Sequence, residues 1–282
     1  MNALVLGYGR SGKAAAALLG RLGFSVTVLD GAAPFPGGEY EVAVASPGIS
    51  PAHPWLAACR RRGIALKSEL QLGCEELKRQ GWKLLAVTGS KGKSSVVKVV
   101  ADAINLSGRT AVACGNYGVP VCEVAGDRTI EPSEPSNNPP WAVVEVSSFM
   151  METTELKPDT FEAAAVLNLQ EDHLDRHGSV EVYHALKRKL LTMAKRGFEL
   201  RPPVSVDASW WRGSYFDNEI LAGNAALATA LMLAAGLDGC QIARAFSDFV
   251  PLPHRMNLVA EQGGVRYIDD SRRHRSQRLR LA

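Results

Sequence analysis

The sequence predicts an α/β protein made of two successive units, each a parallel sheet flanked by helices. Three observations carry this prediction. Short apolar runs alternate with helical periods along most of the chain, the pattern of strand–helix–strand units. The alternation restarts at Gly81, after a break at Gln80. Each half opens on a strand that runs into a glycine-rich loop and then a helix.

Taken in order, NALVLG (residues 2–7) is an apolar strand and SGKAAAALLGRLG (11–23) an alanine-rich helix. SVTVLD (25–30) and YEVAVAS (40–46) are strands. HPWLAACRRRG (53–63) is a helix, IALKS (64–68) a strand, and residues 69–79 a helix. The second unit starts with the strand WKLLAVTG (82–89), then a helix within 91–108 and the strand RTAVACG (109–115). The Pro/Ser/Asn-rich stretch 126–140 is a surface loop. WAVVEVS (141–147) and FEAAAVLNL (161–169) are buried-type strands. Residues 179–194 and 224–236 have helical periods, whereas 195–219 offers only loop or short-strand signals. VRYI (265–268) is an edge-like strand. The expected division is therefore 1–80, 81–271 and a tail, 272–282.

At 282 residues, 46% hydrophobic and 22% charged, the chain has room for two domains. Its net charge of +3 misleads. Five arginines and no acid fall in 272–282, which leaves the rest at −2. That tail reads either as a basic, nucleic-acid-binding arm or as unstructured chain replacing something else. Without aromatic interleaving, the expectation is an unstructured tail and no nucleic-acid partner. Five cysteines without a CxxC pair suit reduced thiols in the cytoplasm. No apolar stretch is long enough to span a membrane, and the N-terminal strand lacks the basic flank of a signal peptide.

Two loops have the chemistry of phosphate binding. GYGRSG places Gly7, Gly9 and Gly12 between a strand and a helix, with Asp30 closing the next strand. This Rossmann-like fingerprint lets backbone approach a diphosphate at a helix N-terminus. The second loop, TGSKGKSS, comprises Gly89, Ser90, Lys91, Gly92, Lys93, Ser94 and Ser95. Its N–H groups can cradle phosphates, Lys93 can pair with the terminal ones, and the Ser94 hydroxyl can ligate Mg²⁺. Val87 stands where the usual P-loop pattern has its first glycine, so this is a shortened variant. A dehydrogenase needs only the first loop and a plain ATPase only the second. An enzyme that activates a nucleotide-linked substrate with ATP needs both.

Glu145 ends a strand that should neighbour the P-loop strand, where a carboxylate can hold Mg²⁺. The run QEDHLDRHGS offers Glu171, Asp172, His173, Asp175 and His177 at another strand end. The His173/His177 spacing admits zinc, but with Gly178 following and no helix evident, one histidine beside a Mg²⁺–phosphate site is the better reading. Lys187 and Lys189 follow on a helix and alone read as a solvated basic face.

Together VTGSKGKSS, GNYGVP, EVSSF, NLQEDHLDRHGS, YHALKRK, LPHR and VRYIDDS occur in the order of the Mur ligase family. With GYGRSG and ASPGIS, the chain resembles most the branch that adds D-glutamate. The resemblance implies ATP-dependent phosphorylation of the terminal carboxylate of UDP-MurNAc-L-alanine. The amine of D-glutamate then attacks the acyl phosphate, a step of peptidoglycan precursor synthesis by a cytoplasmic monomer. It also implies that Ser94 and Glu145 hold one Mg²⁺, and that His173 and a carbamylated Lys187 hold another, with Lys189 as a rival. It assigns Asn224, Arg255 and Asp270 to ATP, and Asn116 to the substrate. Arg10, Ser11, Asp30 and the turn Ser46, Pro47, Gly48 take the UDP part.

There are departures from the family pattern. Ile220 and Leu221 stand where His and Asn are expected before Asn224, and the stretch from Lys187 to Asn224 is short. The family continues from DDS with lysine into a third domain that holds most D-glutamate contacts. Here Arg272 follows instead, so that domain is expected to be absent and the chain unable to complete ligation alone. The alternatives are another amino-acid-adding or folylpolyglutamate-type ligase, and a non-catalytic nucleotide-binding module.

Overall fold

The computed structural model describes residues 1–130, 138–200, 205–255 and 257–271. The arginine-rich tail lies outside them, as does part of the surface loop expected at 126–140. The first unit runs β1 (Asn2–Leu6), α1 (Arg10–Arg21), β2 (Ser25–Leu29), β3 (Val42–Ala45), α2 (Pro54–Arg61), β4 (Ala65–Ser68) and α3 (Glu69–Arg79). Its sheet has the order β2-β1-β3-β4, all parallel. The second unit continues with β5 (Lys83–Thr88), α4 (Lys93–Leu106), β6 (Ala111–Gly115), α5 (Val121–Ala125), β7 (Trp141–Glu145), α6 (Ser148–Met151) and β8 (Ala163–Val166). Then come α7 (Leu174–His177), α8 (Val180–Arg188), β9 (Gly197–Glu199), α9 (Ala222–Ala234) and α10 (Gly239–Ser247). Its five strands are parallel in the order β6-β7-β5-β8-β9. β10 (Asn257–Gln262) and β11 (Val265–Asp269) form a separate antiparallel hairpin. Its turn, Gly263-Gly264, has positive φ at both residues, which suits a type I′ turn.

The strands are parallel because they are apolar on both faces. β3, β7 and β8 are buried at every residue, and such strands need helices above and below. The neighbour relation expected between β7 and the P-loop strand β5 is present.

Two expectations need correcting. Residues 179–194 do not form one helix: α8 ends at Arg188 and a 3₁₀ turn covers Lys189–Met193, a tightening common at helix C-termini. A helical turn does follow His173. α7 is a single turn between two positive-φ residues, His173 and Gly178, too short for any period to reveal. The stretch 195–219, expected to hold loop or short strand, contributes the three-residue β9 to the sheet edge.

The two units are not separated by a gap. One apolar cluster includes Ala3, Val5 and Val44 of the first sheet, Leu70 and Leu77 of α3, and Leu84, Val144 and Ala164 of the second sheet. Helices α1, α3 and α5 form the layer between. A Cβ at Gly73 of α3 would stand 2.7 Å from Val121, so the two helices touch there. Buried polar ties cross the same seam. Ser68 and Thr154 hydroxyls lie 2.6 Å apart. The Cys122 N–H donates to Glu69 at 2.7 Å, and the Cys122 thiol donates to the Glu69 carbonyl. The other Glu69 oxygen is buried without a partner.

Burial pushes the Glu69 carboxyl up to about 7 from an ordinary 4.5. Below that ordinary value both folded and unfolded chains are protonated there, and the penalty is absent. Between 4.5 and 7 the folded chain holds the extra proton, so this residue makes stability fall as pH rises through that window and level off above it. Urea unfolding from about pH 4.5 to 8 should therefore show a shallower decline for Glu69→Gln than for the unsubstituted protein.

Candidate active site

The carboxyl ends of β5, β6, β7 and β8 surround one cavity of about 840 Å³. This is where ligands bind in open parallel sheets. The glycine-rich loop after β5 is held by backbone and by one amide. Ser90 N–H donates to the Asn168 carbonyl at 2.8 Å. The Asn168 side chain accepts from Lys91 N–H at 2.9 Å and donates to the Lys91 carbonyl at 3.0 Å. Gly89 and Gly92 have positive φ, and a side chain at either would meet Leu167 or overlap the Asn224 amide. Gly92 caps α4 without a side-chain bond. The first-turn N–H groups of that 14-residue helix have no intrahelical acceptor and border the cavity.

Two lysines converge on the loop. Lys93 Nζ donates to the Gly89 carbonyl at 2.9 Å and to that of Ser90 at 3.2 Å. Lys187 Nζ donates to the same Gly89 carbonyl at 2.9 Å. Burial lowers the Lys93 amine below its ordinary range. Lys187 is 2% exposed. Burial and then the neighbouring Lys93 charge push its amine down to about 7, against the pull of Asp172 and Glu145. Lys189, the rival, points elsewhere and donates to the Thr154 carbonyl.

Facing the lysines, Glu145 is buried at the end of β7. One oxygen accepts from Asn116 Nδ2 at 2.7 Å, and the other is buried without a partner. His173 is exposed, with its ring 4.8 Å from that of Phe149. His177 turns away: it is held by Glu152 at 3.2 Å and Ser148 at 3.0 Å. Burial pushes its imidazole down, with Glu152 opposing. The two histidines therefore do not share a metal position, and no metal-binding group of three or more His, Cys, Asp or Glu occurs among the described residues.

Of the residues expected to meet nucleotide or metal, Ser90, Lys91, Gly92, Lys93, Ser94, Ser95, Glu145, His173, Lys187, Asn224, Arg255 and Asp270 all line this cavity, as does Asn116. Gly89 contributes its carbonyl. Ile220 and Leu221, standing where polar residues were expected, line it too, beside Leu200 and Tyr215.

The first-unit residues form a second cluster at the carboxyl ends of β1, β2 and β3. Gly7 has φ 86° and accepts from the Ser46 hydroxyl at 2.8 Å. Asp30 accepts from Tyr8 N–H at 3.1 Å. Gly9 caps α1, Arg10 and Ser11 open it, and a Cβ at Gly12 would overlap the Gly7 carbonyl. Pro47 and Gly48 continue the turn after Ser46. None of these lines the 840 Å³ cavity.

Sequence reasoning missed Asn168, Tyr183 and Phe149. Tyr183 places its hydroxyl 3.1 Å from the Ser90 hydroxyl and its ring 4.6 Å from Lys187 Nζ. Its position one helical turn before Lys187 was a readable signal. Asn168 directly follows a buried strand, but nothing local says which loop its amide holds.

This is an α/β protein with a P-loop-type glycine loop, where lysines converge opposite a buried carboxylate. Residues 87–199 match the Mur ligase middle domain. The chain is 31% identical to a UDP-N-acetylmuramoylalanine–D-glutamate ligase of Gloeobacter violaceus, covering 95% of this chain and 71% of that protein. It is 33% identical to the enzyme of the same name from Dechloromonas aromatica, over 95% and 72%. The chain belongs to the Mur ligase family. Among solved structures, the fold is similar to a Neisseria UDP-N-acetylmuramate:L-alanyl-γ-D-glutamyl-meso-diaminopimelate ligase, with TM-score 0.54 and 15% identity over 89% of this chain and 98% of that one. It is also similar to a Thermotoga maritima MurF ligase in complex with ADP, with TM-score 0.51 and 15% identity over 82% and 68%.

Because one amide satisfies both backbone groups of Lys91, Asn168→Ala should cost about 1–3 kcal/mol of stability. Urea unfolding would measure it, and Asn168→Asp, which keeps only the acceptor, should recover part of the loss.

Proposed function

We propose that the chain binds ATP in the 840 Å³ cavity and UDP-MurNAc-L-alanine on the first unit. It would serve an ATP-dependent ligase that joins D-glutamate to that substrate in the cytoplasm. Residues 1–80 would hold the UDP part and 81–271 the ATP part. The observation that carries this reading is the convergence of Lys93 and Lys187 on the Gly89 carbonyl, opposite the unpartnered oxygen of Glu145. The choice of D-glutamate rests on the names of the relatives that are 31% and 33% identical.

In the first step, a carboxylate oxygen of the substrate attacks the terminal phosphorus of ATP and ADP leaves. In the second, the D-glutamate amine attacks the acyl carbon, phosphate leaves, and the nitrogen loses a proton. The first step gathers several negative charges. The cradle offsets them with the N–H groups opening α4, with Lys93, and with the Arg255 guanidinium. Asn116 donates to Glu145 and lines the same cavity.

The donors present fit Mg²⁺. Glu145 offers a buried oxygen without a partner, and Ser94 and His173 line the same cavity. Those three residues and a carbamylated Lys187 would hold the ions, mostly through the hard oxygens that Mg²⁺ prefers. When bound, Mg²⁺ supplies further positive charge against the phosphates. Lys187 suits carbamylation because its amine is largely deprotonated just above neutral pH. The neutral nitrogen attacks CO₂, forms the N–C bond and releases a proton. The Tyr183 ring lies 4.6 Å from that nitrogen.

Titration calorimetry tests the proposal. MgADP and UDP-MurNAc-L-alanine should each bind the unsubstituted chain, and heat from neither would overturn it. Lys93→Ala should weaken MgADP by tenfold or more, about 1.4 kcal/mol, while leaving the UDP substrate's affinity unchanged.

A further inference from the structure

One guanidinium spans the two clusters. Arg176 sits in α7, three residues after His173. Its Nε lies 3.1 Å and 3.2 Å from the two Glu152 oxygens, and its Nη2 donates to one of them at 2.6 Å. The same Nη2 donates to the Ile49 carbonyl at 3.0 Å, and more distantly to that of Pro47 at 3.5 Å. Both carbonyls belong to the turn after β3, next to Ser46 and Gly48. The guanidinium also lies 5.2 Å from the Phe149 ring centroid, and that ring sits against His173.

The bond to the first unit is a defined one. The Arg176 and Glu152 side chains are 20% and 7% exposed, so water competes little for their hydrogen bonds. Glu152 is anchored in turn by His177, whose far nitrogen meets Ser148. A planar fork can hold a carboxylate on one side and a carbonyl on the other, whereas an ammonium offers no such fixed geometry. Any shift of the Ser46–Gly48 turn therefore pulls on α7 and on the backbone of His173. His173 is held at φ 53°, a conformation that leaves little room for adjustment.

We infer that Arg176 is a positioning residue that couples the first-unit substrate turn to the phosphate cavity, so that occupancy of one cluster tightens binding at the other. This rests on the two-ligand reading proposed above. Each ligand would order the same turn–guanidinium–α7 unit, and the second to bind would find it already ordered.

The experiment is a binding cycle by calorimetry on the whole chain. MgADP affinity is measured with and without saturating UDP-MurNAc-L-alanine, for the unsubstituted protein, Arg176→Met and Arg176→Lys. Thermal unfolding confirms that each variant is folded, and if Arg176→Met is not, Arg176→Lys carries the comparison. The unsubstituted protein should show a tightening of at least about fivefold, the low end of common coupling. Both variants should show less than about twofold, with each ligand's own affinity kept within about threefold. A residue that only supported the fold would change the single affinities and leave the ratio intact. Coupling retained in the folded variants, or absent from a protein that binds both ligands, overturns the inference and leaves the functional reading standing. Failure of the unsubstituted protein to bind either ligand overturns both.

Discussion

Buried Lys187 and half-buried Lys93 share the Gly89 carbonyl, and the rest of the site is arranged around that juxtaposition. Neighbouring ammonium groups repel one another, and burial removes the water that would screen them. Such a pair persists only where negative charge is close at hand or about to arrive. Glu145 and Asp172 supply the resident charge, and both act on the two lysines. The unpartnered oxygen of Glu145 and the start of α4 border the same cavity. Under the function proposed above, the Lys93 ammonium would be met by the negative charge of a polyphosphate.

That arrangement depends in turn on the sheet. Parallel strands in the order β6-β7-β5-β8-β9 bring four strand ends to one edge, so Asn116, Glu145, the P-loop and Asn168 arrive together although they are far apart in sequence. Strands apolar on both faces are what make this sheet, and the helices that cover it leave only its edge for polar chemistry. The loop is then tightened from the neighbouring strand. Asn168 holds the backbone of Lys91, and Gly89 and Gly92 give the room that Leu167 and Asn224 take.

Much of this was legible in the residues. The α/β alternation, the two glycine loops and the strand ending in Glu145 follow from local pattern alone, because each is a short-range signal with a physical cause. The choice between Lys187 and Lys189 was not legible. Both lie on the same predicted helix, and only the 3₁₀ turn beginning at Lys189 separates their directions. The single-turn helices α5, α6 and α7 escaped for a simple reason: four or five residues hold no period. α10 was readable, since Asp238 and Gln241 form a capping box at its start. The apolar cluster shared by the two units was invisible, because an alanine or leucine does not announce which of two sheets it faces.

That shared cluster bears on how such a protein can be inherited. The topological joint lies at the turn after α3, yet the packing joint does not. Val121 and Cys122 belong to the second unit by sequence and to the α3 surface by contact. Recombination at the turn would part surfaces shaped for each other, including the close approach at Gly73 and the buried carboxyl of Glu69. A lineage that acquires a new first unit must re-fit α5 as well, so the piece that evolution can exchange freely is larger than the piece that a strand diagram outlines.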